Sequence, residues 1–444
     1  MTPTALPPRI GPRPLPLHLM AAISSFASSQ AALPLLKNGW LGWRPELQTA
    51  GNDLRNQLAA VGLDALAEAV DRELRARAGL FLAGIERYRH YPYRRSLIDP
   101  PSVWDDGTTR LLDYGRADRR SDGGIPVLVV PSLINRSYVL DLSEERSLLR
   151  MLAARGLRPF LVDWGKPGEV ERRFTLTDYI AGRLESALDA VEELTGRPVA
   201  VMGYCMGGLL ALALALRRPR QITALALLAT PWDFHAENPG QARLLGALAR
   251  PFAASFGALG ELPVDLLQSL FAGLDPLLAL RKFTRFAGLD EAGPKAREFV
   301  ALEDWLNDGV PLPLAVGEEG LADWYGANLT ARGAWRVAGR LVDPSRCKIP
   351  ALVITPAQDR IVPQASARAL AGQLPDAKLL TPSLGHIGMI VSQGAPDKVW
   401  LPLADWLLAQ AEANSNLAAT ARMRAAGKRT PRRRVDRSKR QSGA

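Results

Sequence analysis

The sequence predicts an α/β protein, a mostly parallel central sheet covered by helices and interrupted by a helical cap. Three observations carry this reading. Short apolar strands alternate with helical patterns from Ser102 to Ala229; the alternation lapses between Trp232 and Arg346 and then resumes. One strand, Pro198-Val-Ala-Val-Met-Gly-Tyr204, runs through a glycine-pinched turn straight into an apolar helix ending at Leu216. At 444 residues the chain is long enough for one large core with an insertion.

In order, residues 1–100 read as an N-terminal extension. Its first fifty residues are rich in proline with no clear period, and poor order is expected over the first fifteen. From Asp53 to Tyr88, Leu54, Leu58, Val61, Leu66, Val70, Leu74, Phe81 and Ile85 recur at steps that make one amphipathic helix, packed on its own domain or docking a partner. The core is expected over 101–231 and 347–413. Its strands are Thr108–Tyr114, Pro126–Val130, Arg158–Trp164, the strand into the turn, Ile222–Ala229, Ala351–Thr355 and Ala377–Thr381. Helices are expected at Ser143–Arg155, opened by Ser143, at Leu176–Leu194, closed by Gly196, at Val362–Leu374 and at Lys398–Ala413. Residues 232–346, too long for a plain loop, read as a cap carrying Trp305, Trp324, Tyr325 and Trp335. Residues 414–444 read as a disordered basic tail.

That tail decides what the charge means. Of the net +10, a surplus of nine lies between Thr420 and Ala444, which leaves the rest nearly neutral, so nucleic-acid binding is not expected of the folded core. Two cysteines, Cys205 and Cys347, make no disulfide framework and suit a reducing, cytoplasmic setting. The apolar stretch from Leu15 to Ala32 is broken by His18 and serines and is not read as an export signal; no run has the length of a membrane span. No metal cluster and no cofactor-binding glycine loop are found, so neither metal nor cofactor is expected.

The turn is Gly203-Tyr-Cys205-Met-Gly207, a nucleophile elbow with cysteine at its apex. Such a corner holds the thiol on a strained turn and aims the Met206 N–H, at a helix N-terminus, toward an anion forming beside it. By itself the pentapeptide also fits a small apolar cysteine packed under a helix. Its partners make the stronger case. Among four histidines, His386 follows the last strand in a glycine-flanked loop, whereas His18 and His90 precede the sheet. His235, after the strand that follows the elbow, is the one rival. Asp359 follows the preceding strand, giving the order Cys205, Asp359, His386, which is the nucleophile, acid, histidine order of α/β-hydrolases. A second oxyanion donor is expected just before Asn135, from the N–H of Leu133 or Ile134, with Ile134 paired with Met206 as the candidate oxyanion hole.

These residues resemble the polyhydroxyalkanoate synthases, cysteine-dependent relatives of the α/β-hydrolases. The resemblance is carried by Gly203-Tyr-Cys-Met-Gly-Gly208, Leu133-Ile-Asn-Arg-Ser-Tyr-Val-Leu-Asp141, Val162-Asp-Trp-Gly165, Thr230-Pro-Trp-Asp-Phe234, Gln358-Asp-Arg-Ile-Val-Pro363 and Gly385-His-Ile-Gly-Met389, and covers roughly 100–410. It implies an acyltransferase that polymerises (R)-3-hydroxyacyl-CoA with release of CoA. Cys205 would carry the growing chain, His386 would be the general base, and Asp359 would complete the triad. It also implies a polyester granule surface as partner, with a homodimer or a second synthase subunit. The N-terminal part is intermediate in length between the long and short kinds of synthase, which leaves the subunit arrangement and acyl chain length open.

Two other readings stay in play at this point: a hydrolase of the same fold, whether polyester depolymerase or thioesterase, and a non-catalytic granule-associated protein. A solvated run of like charges buries nothing, so deleting residues 420–444 is expected to leave activity in solution and the melting temperature unchanged. A truncation that unfolds the protein would place the domain boundary elsewhere.

Overall fold

The protein was analysed as a computed structural model, which describes residues 7–115 and 123–427, with side chains to residue 416. Eight strands build the central sheet: β1 (Ser102–Asp106), β2 (Thr109–Asp113), β3 (Ile125–Val130), β4 (Leu157–Asp163), β5 (Val199–Tyr204), β6 (Ile222–Leu228), β7 (Ala351–Ile354) and β8 (Ala377–Leu380). Their spatial order is β1-β2-β4-β3-β5-β6-β7-β8. The pairings of β2 with β1 and with β4 are antiparallel, and every pairing from β4 onward is parallel. Parallel strands covered on both faces need apolar residues throughout, and β4 and β5 are buried at every position. One of two charged residues in β4, Arg158, forks onto the buried Asp113 of β2 at 2.6 and 3.1 Å, tying the antiparallel edge to the parallel core.

The helix Met206–Arg217 lies under the sheet's centre. All its residues from Met206 to Ala215 are buried, which is why this stretch of Leu and Ala shows no polar face. Gly203 and Gly208 touch: a Cβ on Gly203 would sit 2.5 Å from the Gly208 Cα. A Cβ on Gly207 would overlap the carbonyl oxygen of Val130 and lie 2.5 Å from that of Pro131. These glycines set the distance from helix to strand.

Between β6 and β7 the chain leaves the sheet for 122 residues, 229–350, and forms helices Pro239–Gly246, Ala249–Phe256, Val264–Ala272, Leu278–Ala287 and Pro294–Asn307. The N-terminal helices cover this insertion rather than the sheet. Phe81 and Tyr88, on the helix Leu63–His90, meet Phe283 edge-on with centroids 6.5 and 5.6 Å apart. Gly84 lets the backbones close up, since a Cβ there would overlap the Phe283 carbonyl. The Arg87 guanidinium then donates to the carbonyls of Phe286, Ala287 and Leu289 at 3.0, 3.1 and 2.7 Å, capping the helix Leu278–Ala287.

Several elements differ from the sequence reading. The stretch read as having no clear period contains the helices Leu15–Ala31 and Leu33–Lys37; on the first, small Ser and Ala residues mix with the larger apolar ones, so it shows little period. The stretch from Asp53 is two helices, Gln48–Gln57 and Leu63–His90, parted near Gly62. Ser143 starts no helix. It belongs to a short hairpin, and the helix Leu148–Ala154 is capped by Ser147, whose hydroxyl accepts from the Arg150 N–H at 3.1 Å. The edge strand β1 was not foreseen, because its charged residues are exposed. The last helix runs Leu401–Gly427, beyond Asn414, and the remaining basic tail lies outside the described residues.

Gly207→Ala is expected to destabilise the fold by about 1–3 kcal/mol, because the added methyl meets main chain that cannot rotate away. Urea unfolding of the variant measures it. Gly196→Ala, in a left-handed helix cap with no atom within 4 Å of the added carbon, is expected to cost less.

Candidate active site

Cys205 stands at the end of β5 with φ 55° and ψ −126°, a conformation that costs a non-glycine residue about 1–3 kcal/mol and is held by its surroundings. Its N–H donates to the Leu228 carbonyl at 2.8 Å, continuing the ladder, and its carbonyl receives the Gly208 N–H at 2.9 Å. The thiol therefore sits at the N-terminus of a buried helix, where unpaired N–H groups favour negative charge.

The loops after β7 and β8 bring the expected partners together. The Asp359 carboxylate, fully buried, accepts the Ile361 and Val362 N–H groups on Oδ1, each at 2.8 Å. Its Oδ2 faces His386 Nδ1 at 2.7 Å. That contact turns the other ring nitrogen toward Cys205, with which His386 also hydrogen-bonds. Burial opposes charging the imidazole, but a negative Cys205 sulfur and the hydrogen bonds to Asp359 and Cys205 outweigh it and raise the pKa to about 10. Tyr204 packs its ring 5.3 Å from the imidazole and donates its hydroxyl to the His386 carbonyl at 3.2 Å.

The other cysteine and histidines lie elsewhere. Cys347 is buried before β7, and burial pushes its thiol pKa up. His18 is bonded to the Arg13 carbonyl, and His90 is exposed beside Glu86. His235 turns away from the Asp359 pair: its Nε2 meets the Tyr325 carbonyl of the cap at 2.7 Å. Of the two oxyanion-donor candidates, Leu133 and Ile134, the Ile134 N–H is engaged by Ser132 Oγ at 3.1 Å.

Sequence reasoning did not assign a role to Tyr325. Burial and the charge of Cys205 push its phenol up to about 12, so it lies within electrostatic reach of the thiol. The segment is gripped by the loop after β6. Phe234 meets Tyr325 edge-on at 4.8 Å and stacks on Trp324 at 5.8 Å, and Asn328 donates to Asp233 and accepts from the Phe234 N–H. The cluster of aromatic residues in the cap was the available signal; which one reaches the thiol depends on tertiary packing. Among the described residues, no group of three or more His, Cys, Asp or Glu is arranged to hold a metal ion, and no helix is long and apolar enough to cross a membrane.

A nucleophile elbow, an acid after β7 and a histidine after β8 on this strand order define an α/β-hydrolase-fold protein, and the family described as alpha/beta hydrolase fold matches residues 125–393. Within that class, the chain is 31% identical to the poly(3-hydroxyalkanoate) polymerase subunit PhaC of Allochromatium vinosum, over 69% of this chain and 87% of that one. It is 33% identical to the corresponding subunit of Synechocystis sp., over 64% and 77%. The subunit of Haloferax mediterranei is 28% identical over 71% of this chain, which spans 64% of that longer relative. The chain belongs to the polyhydroxyalkanoate synthase family.

The charge on Cys205 is the first of the influences that raise the His386 pKa, so removing it should lower the titration midpoint. Nitrogen-15 NMR of the imidazole is expected to show His386 still protonated above pH 8 in the wild type, and to titrate at lower pH in Cys205→Ala. An unchanged midpoint would break the proposed pairing.

Proposed function

We propose that this protein is a polyhydroxyalkanoate synthase, transferring the acyl group of (R)-3-hydroxyacyl-CoA to Cys205 and joining successive units as esters with release of CoA. The observation that carries the reading is the buried Asp359–His386 pair hydrogen-bonded toward the elbow cysteine, in a chain of this family. Thiol, imidazole and carboxylate are sufficient for acyl transfer between a thioester and an alcohol, so the reaction calls for no cofactor.

The electrostatics suggest how one histidine serves both halves of the reaction. His386 takes the Cys205 thiol proton and becomes imidazolium. The sulfur attacks the thioester carbonyl, the oxyanion is held by the Met206 N–H with Leu133 or Ile134 as second donor, and the departing CoA sulfur takes the imidazolium proton. Once Cys205 is acylated its negative charge is gone. What remains on His386 is burial, which favours the neutral ring, opposed by Asp359. The neutral ring then accepts the proton of the incoming 3-hydroxyl group as that oxygen attacks the acyl-cysteine, forming the ester and regenerating thiolate and imidazolium.

Water at the acyl-cysteine would turn synthesis into hydrolysis. Phe234, Trp324 and Tyr325 supply an apolar cover over the site that disfavours water. The N-terminal segment exposes Met20, Ile23, Trp40 and Leu82, apolar side chains suited to the polyester granule or to a second copy or subunit. A cytoplasmic location fits the free, ionisable thiol.

Incubation with 3-hydroxybutyryl-CoA is expected to give insoluble polyester and free CoA; soluble 3-hydroxybutyrate alone would instead identify a hydrolase. Cys205→Ala should abolish CoA release while keeping the fold, whereas Cys347→Ala should retain activity. His386→Gln is expected to slow acylation by roughly two to four orders of magnitude, the usual size of a general acid–base contribution. His235→Gln should cost far less, and a crippled His235→Gln beside a near-normal His386→Gln would overturn the triad.

A further inference from the structure

A cavity of about 600 Å³ opens at the far end of the elbow helix from Cys205. Its walls are the helix end from Ala213 to Pro219, a small hairpin of Arg336–Val337 and Arg340–Leu341, and the approach to β7 from Arg346 to Ile349. Active-site loops follow the carboxyl ends of the strands; this cavity lies beside their amino ends. Seven helical residues, Met206 to Leu212, separate its nearest wall from the thiol, about 12 Å along the axis.

Its charge is one-sided. Arg217, Arg336, Arg340, Arg346 and Lys348 line it, and no carboxylate does. Glu185 neutralises Arg217, and Asp343 lies 3.4 Å from Arg346. Arg336, Arg340 and Lys348 make no ion pair among the described residues. Like charges gathered around a concavity repel one another and focus a positive potential into it, an arrangement relieved by an anion. The chain outside the basic tail is nearly neutral, so this concentration does not follow from composition. The tail carries the same sign and is no counterion for it.

The walls are also firm. Ala338 and Gly339 both have positive φ, the pairing that fits a tight two-residue hairpin turn. The Ala338 N–H donates to Thr177 Oγ1 at 3.1 Å, and Arg217 donates to the Val337 carbonyl at 3.2 Å. The floor is apolar, with Val337, Val342, Cys347 and Ile349 buried. A firm pocket of this volume, with a rim of guanidinium groups over an apolar floor, suits a small molecule with a phosphorylated end and an apolar or planar body.

We propose that this cavity is a binding site for a phosphate-bearing small molecule of nucleotide size, separate from the acyl-transfer site. The inference does not depend on the proposed reaction. Its test is calorimetric titration of the full chain at physiological salt with ADP, free CoA and inorganic pyrophosphate as probes. Saturable binding of at least one probe is expected, weakened roughly tenfold or more in Arg340→Ala and further in Arg340→Ala/Lys348→Ala, because each removes a charge-assisted contact. Both variants should keep wild-type CoA release at Cys205. Pyrophosphate binding as well as ADP would assign recognition to the phosphates alone; ADP or CoA binding without pyrophosphate would add the apolar floor. No saturable binding of any probe would overturn the proposal, as would affinity unchanged in the double variant. Binding abolished as completely by uncharged-probe competition at the thiol site as by the double variant would also overturn it, since the probe would then occupy the other site.

Discussion

The closeness of the elbow helix to β3 and β5 is the constraint from which the site's geometry follows. Gly203 and Gly208 meet almost backbone to backbone, and Gly207 lies against the Val130 and Pro131 carbonyls. Only at that separation can the chain reverse within one residue, and that residue, Cys205, is left with a backbone conformation it would not choose. The same approach brings the Pro131 carbonyl beside the helix N-terminus. Packing and chemistry are here one geometric requirement, and a helix buried from Met206 to Ala215 has no freedom to relax it.

Around this corner the electrostatics are arranged in series. Backbone N–H groups of Ile361 and Val362 hold the Asp359 carboxylate, which orients the imidazole, which faces the sulfur. The Asp359 and His386 side chains are buried, which leaves little room for water to substitute for a missing partner between them. Tyr204 steadies the histidine from behind through its main-chain carbonyl, an interaction that leaves both ring nitrogens for Asp359 and Cys205.

Much of this was legible from residue types in order. Strands β3, β5 and β7 carry continuous apolar runs, and Cys205, Asp359 and His386 each follow a strand, so topology alone brings them to one edge. What was illegible depended on contacts between distant segments. Ser143 and Ser147 are both plausible helix caps, and the hairpin that disqualifies the first is too short to show a period. On Leu15–Ala31 small Ser and Ala residues blur the contrast that reveals a helix, and the partner of His235 is a main-chain carbonyl, Tyr325, which no side-chain pattern announces.

The seating of the N-terminal helices has a mechanical side. Arg87 holds the last carbonyls around Phe286, Gly84 brings its helix onto Phe283, and Arg9 and Tyr88 both bond Asp304 of the helix Pro294–Asn307. All of these anchors are on the insertion between β6 and β7. An outward swing of that insertion must either drag the first ninety or so residues along as cargo or break those anchors one by one. The insertion is thus weighted from outside, and a hand laid on the N-terminal helices is a hand on its handle.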